Sequence, residues 1–402
     1  MNYKRETFWK YVRSLWDMSD TYCNEPWRTA HYDEVGKLGP CCTYRGKRPD
    51  FTKIDDYWNS KWLQDFRKQL GDGVKVDGCF NCWRKEDRGE HSQRTDKNRR
   101  HGYIDKPQLE ELFLSFGNIC NKSCGVCRPS RSSLIAKEYR SIPTDNEWLL
   151  SLPNRINREV AGDKAYSGHY LEHFEDYKSA LDSADTIYLD GGEPFIVNQC
   201  TEILEYLIEE GQTHKKIKAG TNGSVTDYQL ELLSKFKSVS FHLSIDGIEE
   251  LYPVVRPPHD WQWFLDSQSR MQNYPGMNIT YACVIHAFNV HQLPRMVRYF
   301  TSQRLNHAKT HIFFSQINAN KHLEPSVVPT EVMNNTIKEL KLIVKTATND
   351  DKRQVKQMIK HLETQLQKDD PAVKHSFDRY CDTFSKIKNI SYGEHIPWIN
   401  VL

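Results

Sequence analysis

The sequence predicts an α/β fold, in which six parallel strands and their helices form a partial barrel between a cysteine-rich N-terminal module and C-terminal helices. Short apolar runs alternate with amphipathic helical patterns from about residue 110 onwards, which is typical of parallel strands joined by right-handed crossovers. Eight of the eleven cysteines lie before residue 128. Beyond residue 320 the periodicity is helical only.

Residues 1–105 are predicted to form the cysteine-rich module. Their clearest helical pattern is "SKWLQDFRKQL" at 60–70, and they lack the apolar periodicity of a large independent core. A metal site is therefore the expected source of their stability. The charged run at 84–101 is interpreted as a solvated face, in preference to a phosphate or nucleic-acid contact.

Residues 106–320 are predicted to form the barrel. Its six strand patterns are the apolar runs at 112–116, 186–189, 217–220, 239–245, 279–284 and 311–314. Six strand–helix units fit a partial (β/α)6 barrel of the TIM type better than a complete barrel of eight. The long interval between the first two strands must hold an insertion, and its segments 145–156 and 169–181 look helical.

Residues 321–402 are predicted to be helical. Two apolar stripes at helical spacing indicate an αα-hairpin that covers part of the barrel, in preference to a coiled coil that binds a partner. The first stripe comprises Met333, Ile337, Leu340 and Val344, and the second comprises Val355, Ile359, Leu362 and Leu366.

The composition limits the classes of function. A net charge of +2, with acidic and basic residues evenly mixed, argues against a protein that coats nucleic acid or a membrane. The N-terminus lacks the apolar segment of a signal peptide, and no apolar stretch approaches the roughly 20 residues that span a bilayer. A soluble, cytoplasmic protein is expected. In that reducing compartment, clustered cysteines indicate metal ligands or catalytic thiols rather than disulfides.

The segment "NICNKSCGVCRPS" (118–130) contains Cys120, Cys124 and Cys127. A closed structural zinc site takes four protein ligands, whereas a [4Fe–4S] cubane held by three thiolates keeps one iron open for another ligand. The segment follows the first predicted barrel strand, at the end where barrel enzymes build their active sites. An iron–sulfur cluster that takes part in chemistry is therefore favoured, and a zinc site with a fourth ligand from elsewhere stays open.

Four further motifs follow the next four predicted strands in order. They are "LDGGEP" (189–194), "TNGS" (221–224), "LSIDGI" (243–248) and "VIHAFN" (284–289). In spacing and order, these motifs and the cysteine triplet resemble the radical S-adenosylmethionine superfamily. The resemblance implies that the three cysteines hold a [4Fe–4S] cluster, and that its open iron binds the amine and carboxylate of S-adenosylmethionine (SAM).

The resemblance also implies SAM contacts at nine positions. Those expected at the methionine part are Gly191, Gly192, Glu193 and Arg256. Those expected at the ribose or the aminoacyl part are Asn222, Ser244 and Asp246, and those at the adenine are Val284 and Asn289. Glycines allow close backbone approach, while the carboxylates, amides and guanidinium supply charge pairing and hydrogen bonds.

Five more cysteines precede the barrel. They are Cys23 in "CNEPW", Cys41 and Cys42 in "GKLGPCCTY", and Cys79 and Cys82 in "GCFNCWRKEDRGEHSQR". Such a group in a core-poor segment suggests a fully ligated metal centre. The layout resembles the twitch or SPASM-type auxiliary-cluster modules of radical SAM proteins known from phage and bacterial genomes. It implies an auxiliary [4Fe–4S] cluster on Cys23, Cys79, Cys82 and one of the adjacent pair, with Cys41 favoured; zinc stays open as the alternative.

The function that the resemblance implies is enzymatic. Reductive cleavage of SAM would give a 5′-deoxyadenosyl radical that abstracts a hydrogen atom from a substrate, in an iron–sulfur oxidoreductase or transferase supplied with electrons by a donor such as flavodoxin or ferredoxin. A peptide or protein side chain is the favoured substrate. Oxidation or rearrangement of a small molecule, such as a sugar alcohol or nucleoside derivative, stays open, as does a non-catalytic zinc-binding adaptor. No membrane or nucleic-acid partner is expected.

Overall fold

The computed structural model describes residues 19–152, 173–306, 310–317, 320–347 and 349–399. Within them lie eight strands: β1 Thr29–Tyr32, β2 Leu38–Gly39, β3 Glu111–Ser115, β4 Thr186–Asp190, β5 Lys216–Thr221, β6 Ser238–Ser244, β7 Met277–Ile285 and β8 Thr310–Gln316. The α/β class is confirmed. All six predicted strands are present as β3 to β8, with ends that differ from the predicted ones by at most two residues.

The helices of the described residues connect and follow these strands. They are α1 Glu25–Arg28, α2 Ile54–Trp58, α3 Lys61–Gly71, α4 Phe80–Asp87, α5 Gln93–His101, α6 Ser133–Arg140, α7 Glu147–Ser151, α8 Lys178–Ser183, α9 Asn198–Glu209, α10 Asp227–Ser234, α11 Tyr252–Val255, α12 Trp261–Asn273, α13 Leu293–Asn306, α14 Thr330–Thr346, α15 Asn349–Leu366, α16 Pro371–Lys388 and α17 Tyr392–His395. None of these described helices is long and apolar enough to cross a membrane.

The chain forms two compact units. The first comprises the described parts of Met1–Ser115 and Tyr170–Leu189, and the second those of Phe116–His169 and Asp190–Leu402. The predicted domain boundaries at 105 and 320 stay predictions. Of the insertion that was expected to be helical, α7 and α8 are seen, while 153–172 lies outside the described residues.

The first unit contains more regular structure than its sequence indicates. Its strand order is β2–β1–β3–β4, and β1 pairs antiparallel with β2 and parallel with β3. The predicted helix at 60–70 is α3, whose N-cap Ser60 accepts a hydrogen bond from the Leu63 backbone N–H. Strands β1 and β2 were not predicted from the sequence, because runs of four and two residues are too short to display an alternating pattern.

Residues 1–105 lack the apolar periodicity of a large independent core, yet this part of the first unit contains a cluster of buried aromatic side chains. Its interior is aromatic, and the rings of Trp62 and Phe66 stack at a centroid distance of 5.4 Å. Buried aromatic side chains of this unit include Tyr22, Tyr44, Tyr57, Phe66 and Trp83. Aromatic side chains bury large areas without following a strict periodicity, so a count of aliphatic repeats underestimates such a core.

The second unit carries the four parallel strands β5–β6–β7–β8. Buried and less buried residues alternate along β5, β6 and β7, as expected when successive side chains point to opposite faces. In register, Thr221 pairs with Leu243 and Ser244 with Ala282. The carboxyl ends of these strands therefore meet at one edge, where the motifs that follow them are gathered.

The predicted αα-hairpin is confirmed as α14 and α15. Both stripes face inward at Met333, Leu340, Val355 and Leu362, each at most 1% exposed. Helix α14 contacts α13, and α15 contacts β8.

Helix α16 follows the hairpin and packs on α7. Its Tyr380 and Phe384 lie against the ring of Trp148, at centroid distances of 5.4 and 5.1 Å. This helix begins after the N-cap Asp370, whose side chain accepts hydrogen bonds from two backbone N–H groups, and it ends at the left-handed Asn389.

Candidate functional site

The three triplet cysteines lie in a loop that is closed by its own backbone. The Asn118 side-chain amide donates to the Pro129 carbonyl at 2.9 Å, and the Ser133 N–H donates to the Asn118 carbonyl at 2.7 Å. Within the loop, the Cys127 N–H donates to the Cys124 carbonyl at 2.9 Å. We refer to residues 118–130 as the cysteine loop. Its two ends are held together, so the cysteines between them are confined to a small volume.

The thiols of Cys120, Cys124 and Cys127 are close enough to influence one another. Burial raises the pKa of the Cys120 thiol far above its ordinary value, and the other two cysteines raise it further. Burial and Cys124 raise the pKa of Cys127 to about 11. Ligation requires thiolates, so metal binding here would release protons.

Across the described residues, no group of three or more His, Cys, Asp or Glu converges on one metal ion. The thiolates of a cubane bind separate iron corners and stand farther apart, so a cluster site need not meet that condition.

The "GGEP" loop is hydrogen-bonded to the cysteine loop. The Gly192 N–H donates to the Gly117 carbonyl at 2.9 Å, and the Glu193 N–H donates to the Ile119 carbonyl at 2.8 Å. A Cβ at Gly192 would lie 2.2 Å from the Ile119 oxygen, a distance that no side chain tolerates. Gly191 has a φ of +132°, which disfavours a side chain. Both glycines are therefore required by the contact between these two loops.

The Glu193 carboxylate is buried and engaged by three donors. Oε1 accepts from the Thr221 hydroxyl at 2.7 Å and the Phe195 N–H at 3.3 Å, and Oε2 accepts from the Asn222 N–H at 2.6 Å. Burial raises the pKa of Glu193 to about 7, and these hydrogen bonds partly offset that rise. Glu193 thus joins "GGEP" to "TNGS"; its expected contact with the SAM amine stays a prediction.

Asn222 connects the end of β5 to the cysteine loop. Its Nδ2 donates to Asn121 Oδ1 at 2.9 Å and lies 3.8 Å from Cys120 Sγ. Its Oδ1 accepts from the Ser224 N–H at 3.2 Å and the Ser224 hydroxyl at 2.6 Å. The side chain that was expected to contact the ribose or the aminoacyl part of SAM therefore lies beside a predicted cluster ligand.

Four of the remaining predicted SAM residues form one network, in which Asp246, Arg256 and Asn289 are buried and Val284 is half-buried; Ser244, also half-buried, is not part of it. The Asp246 carboxylate pairs with Arg256 and accepts from the Val284 N–H at 2.9 Å. Asn289 Nδ2 donates to the carbonyls of Asp246 and Val284, at 2.9 and 2.8 Å. These contacts fix the ends of β6 and β7 against each other. Arg256 Nε has no hydrogen-bond partner among the residues that the structure describes.

Two buried cations lie near the cysteines. Lys122 belongs to the cysteine loop and is 1% exposed, and Arg256 is 7% exposed. Burial, reinforced by Arg256, lowers the pKa of Lys122 to about 7. Arg256 has a carboxylate partner in Asp246, whereas Lys122 Nζ has no hydrogen-bond partner in the described part of the chain. A buried cation is costly unless it is compensated, and a cluster carrying three thiolates is anionic, so these residues fit such a group.

C-terminal residues anchor the cysteine loop. Lys388 Nζ donates to the Ser123 carbonyl at 2.8 Å and pairs with both carboxylate oxygens of Glu138, at 2.8 and 2.6 Å. Asn320 Nδ2 donates to the carbonyls of Gly125 and Cys127, at 3.1 and 2.9 Å. Sequence analysis missed these residues and Lys122. A lysine between two predicted ligands was a usable signal for Lys122, whereas Asn320 and Lys388 lie nearly 200 or more residues away and gave none.

The N-terminal cysteines are brought together in part. Burial, Glu25 and then Cys41 raise the pKa of Cys23, and Cys82 contributes to the raised pKa of Cys79, after burial. Cys42 is exposed, and its thiol lies 3.4 Å from Gln93 Oε1. The predicted four-thiol set does not converge on a single ion within the described residues.

Arg94 ties the segments that flank these cysteines. Its Nη1 donates to the carbonyls of Asp20 and Tyr22, at 2.9 and 2.8 Å. Its guanidinium pairs with Glu86 and lies 4.7 Å from the centre of the Trp83 ring. One buried side chain therefore fixes the chain before Cys23 to the helix that carries Cys82.

Comparison with known proteins gives weak likenesses. No family model matches the chain, and no curated protein matches it. Similar solved structures include native anSMEcpe with bound AdoMet and Cp18Cys peptide (16% identity, 60% of each chain covered, TM-score 0.37). A second is histidine-tagged anSMEcpe with bound AdoMet (17% identity, 60% of this chain and 61% of that chain covered, TM-score 0.38). A third is Streptococcus suis SuiB bound to S-adenosylmethionine (13% identity, 78% of this chain and 74% of that chain covered, TM-score 0.28). The first of these alignments spans less than two thirds of the other chain. Structural similarities with such low identities and TM-scores assign neither a family nor an activity to this chain.

Proposed function

We propose that this protein is a radical SAM enzyme, in which Cys120, Cys124 and Cys127 hold a [4Fe–4S] cluster within a partial (β/α)6 barrel of the TIM type. The observation that carries the proposal is the grouping of three thiols in one closed loop, with Cys124 buried and Cys120 and Cys127 half-buried, beside two buried cations. A closed zinc tetrahedron would need a fourth ligand.

The cofactors would supply the difficult chemistry: reduction of the cluster would cleave SAM to a 5′-deoxyadenosyl radical that abstracts a hydrogen atom from the substrate. The residues of the chain would position the cysteine loop and shield it from water. Gly192 and Glu193 would hold the cysteine loop through its backbone, and Asn222 would donate towards Cys120 Sγ. The rings of Phe288 and Tyr380, which are at most 2% exposed, would exclude water beside Gly125.

The SAM contacts remain part of this proposal. Ser244 is half-buried at the end of β6, so its hydroxyl is accessible to a ligand. The Arg256 guanidinium has an unsatisfied Nε, which suits it to the SAM carboxylate. The fully buried Asn289 would act as a scaffold for Asp246 and Val284, so that the adenine is met by backbone groups near Val284.

In the first unit, we assign an auxiliary [4Fe–4S] cluster to Cys23, Cys41, Cys79 and Cys82. Cys41 is favoured over Cys42 because Cys41 influences the Cys23 thiol, whereas Cys42 is exposed and lies beside Gln93. Metal analysis of the purified protein would distinguish iron from zinc at this site. From the resemblance of the module we assign a peptide or protein side chain as substrate, and a cytoplasmic donor such as flavodoxin or ferredoxin as the electron source.

The test is anaerobic reconstitution with iron and sulfide, followed by reduction and assay for 5′-deoxyadenosine released from SAM. The wild type should release it, and the C120A/C124A/C127A variant should not, while it loses about four irons per chain and retains about four on the auxiliary site. The matched control is C381A, which removes a thiol from α16 and should preserve both activity and iron content. Absence of 5′-deoxyadenosine from a reduced, fully loaded wild type would contradict the proposal.

A further inference from the structure

Lys122 occupies an unusual environment between two of the triplet cysteines. Its Nζ lies 4.0 Å from the centre of the Trp263 ring and 5.1 Å from that of Tyr252. No hydrogen bond satisfies the ammonium among the described residues. Two aromatic faces attract a cation, but they do not replace the hydration it loses on burial. Within the described ranges, the positive charge therefore lacks a full compensating partner.

The charged groups around Lys122 do not supply that partner. Asp246 is already paired with Arg256, which repels Lys122. Burial and then Lys122 lower the pKa of His259 to about 4, so this imidazole, whose ring lies 4.1 Å from that of Trp263, is neutral near pH 7 and supplies no opposite charge. The attractive influences on Lys122 come from Cys124 and Cys120 first, and then from Glu193. As thiolates, the predicted cluster ligands would therefore be the main source of negative potential around this lysine.

Lys388 provides an internal contrast, because it is also a buried lysine in contact with the cysteine loop. Its ammonium is paired with Glu138 and bound by the Ser123 carbonyl and hydroxyl. The Lys388–Glu138 pair is neutral as a whole and contributes little net charge near the thiols. Lys122 is paired with no carboxylate among the described residues, so nothing comparable cancels its ammonium charge.

We propose that Lys122 is a positioning residue that makes the cluster on Cys120, Cys124 and Cys127 easier to reduce. This inference rests on the proposed function. Reduction adds a negative charge to the cluster, and a fixed cation in a water-poor environment stabilises the reduced state more than the oxidised state. Trp263 and Tyr252 hold the ammonium close to the loop and prevent it from reaching water.

The experiment is a potentiometric titration of reconstituted full-length protein, monitored by electron paramagnetic resonance. The signal of the triplet cluster is identified as the one that the C120A/C124A/C127A variant lacks. In K122M and K122Q, the midpoint potential of that signal should become more negative at unchanged iron content. In K122R, which retains the charge and can stack on the same rings, it should stay at the wild-type value. The control K341M removes an exposed lysine that pairs with Glu363 in the C-terminal hairpin, and it should also leave the potential unchanged.

The outcomes separate the inference from the proposed function. A loaded K122M or K122Q whose potential equals that of the wild type overturns the role of Lys122 and leaves the radical SAM proposal intact. If the triplet variant loses no iron and no signal, the proposed function fails, and the inference fails with it. If neither neutral variant folds, K122R decides the matter: a loaded cluster at the wild-type potential supports the need for a cation, and failure to load overturns it.

Discussion

The Glu193 carboxylate accepts a hydrogen bond of 2.6 Å from the Asn222 backbone N–H, and this bond joins the loop after β4 to the loop after β5. Each of these residues also reaches the cysteine loop. The Glu193 N–H donates to the Ile119 carbonyl, and Asn222 Nδ2 lies near Cys120 Sγ. Displacement of any one of the three loops would therefore disturb the other two. The motifs at the strand ends thus act as one unit whose rigidity depends on a buried carboxylate.

The first prediction concerns the pH dependence of stability. The pKa of Glu193 rises from 4.5 to about 7 on folding, so the folded state retains a proton that the unfolded state releases between these pH values. The free energy of unfolding of the metal-free protein should therefore fall as the pH rises from about 4.5 to 7. The contribution of this one group is up to about 3 kcal/mol.

E193Q lacks this titration. Urea unfolding of both proteins between pH 4.5 and 8 should show that E193Q gains stability relative to the wild type as the pH rises, because only the wild type loses the Glu193 contribution. Other titrating groups are common to both proteins and cancel in the difference. A difference between the two that does not vary with pH would contradict the assignment.

The second prediction concerns Gly192. In G192A the new Cβ would meet the Ile119 carbonyl oxygen at 2.2 Å, so the "GGEP" loop or the cysteine loop must move. Overpacking of this kind costs about 1–3 kcal/mol, and here it also separates two hydrogen-bonded loops. Denaturant unfolding should report a lower free energy of unfolding, and the amount of iron bound by the triplet should decrease as well.

The control for G192A is G71A at the end of α3. No atom lies within 4 Å of a Cβ built at Gly71. The methyl group should therefore be accommodated, with a gain of about 0.4–1 kcal/mol from the lower entropy of the unfolded chain. Equal losses in the two variants would show that the close contact with Ile119 is not the cause.

The strands and the cysteine triplet could be predicted because both are local signals. The apolar runs that became β5 to β7 carry their own periodicity, and the spacing of Cys120, Cys124 and Cys127 is fixed within one loop. The partners that complete the site are not local. Lys388 meets Ser123 across 265 residues, and no spacing rule connects them. The aromatic environment of Lys122 likewise comes from residues more than a hundred positions away.

The roles of individual polar residues were harder to predict than their presence. Asn289 follows β7 as a ligand-binding amide would, but in the structure it is fully buried and both ends of its side chain are hydrogen-bonded to the protein. Sequence identifies a hydrogen-bonding side chain at a strand end. It does not reveal whether neighbouring backbone groups already satisfy that side chain, because this depends on the register of β6 and β7.

The third prediction concerns Arg94 in the first unit. R94K retains the charge, but a single ammonium cannot reach the carbonyls of Asp20 and Tyr22 and the Glu86 carboxylate together. The buried groups left unsatisfied should cost about 1–3 kcal/mol. Iron bound by the first unit should decrease while the triplet cluster persists.

The comparison for R94K is R99K. Arg99 is exposed and pairs with Asp96 one helical turn away, so its replacement should change the free energy of unfolding by less than about 0.5 kcal/mol. Metal analysis and thermal unfolding of the two variants, each in parallel with the wild type, provide the measurement. Full retention of first-unit iron in R94K would indicate that Arg94 does not organise the cysteine site.

The last prediction concerns the ion pair that anchors α16. K388M removes a buried ammonium and leaves Glu138, 19% exposed, without its partner. The expected cost is about 3 kcal/mol, at the lower end of the range for a broken buried pair because Glu138 retains some contact with water. Burial lowers the pKa of Lys388, which indicates that the charge itself is costly there.

The double variant K388M/E138Q separates the ion pair from the loop contact. Both Lys388 variants lose the hydrogen bonds to Ser123, but only the single variant leaves a carboxylate unpaired. The double variant should therefore be more stable than the sum of K388M and E138Q by at least about 1 kcal/mol in urea unfolding. If the two single changes add without coupling, α16 is held to the cysteine loop by the Ser123 contact and the surrounding aromatic packing, and the ion pair is incidental to that attachment.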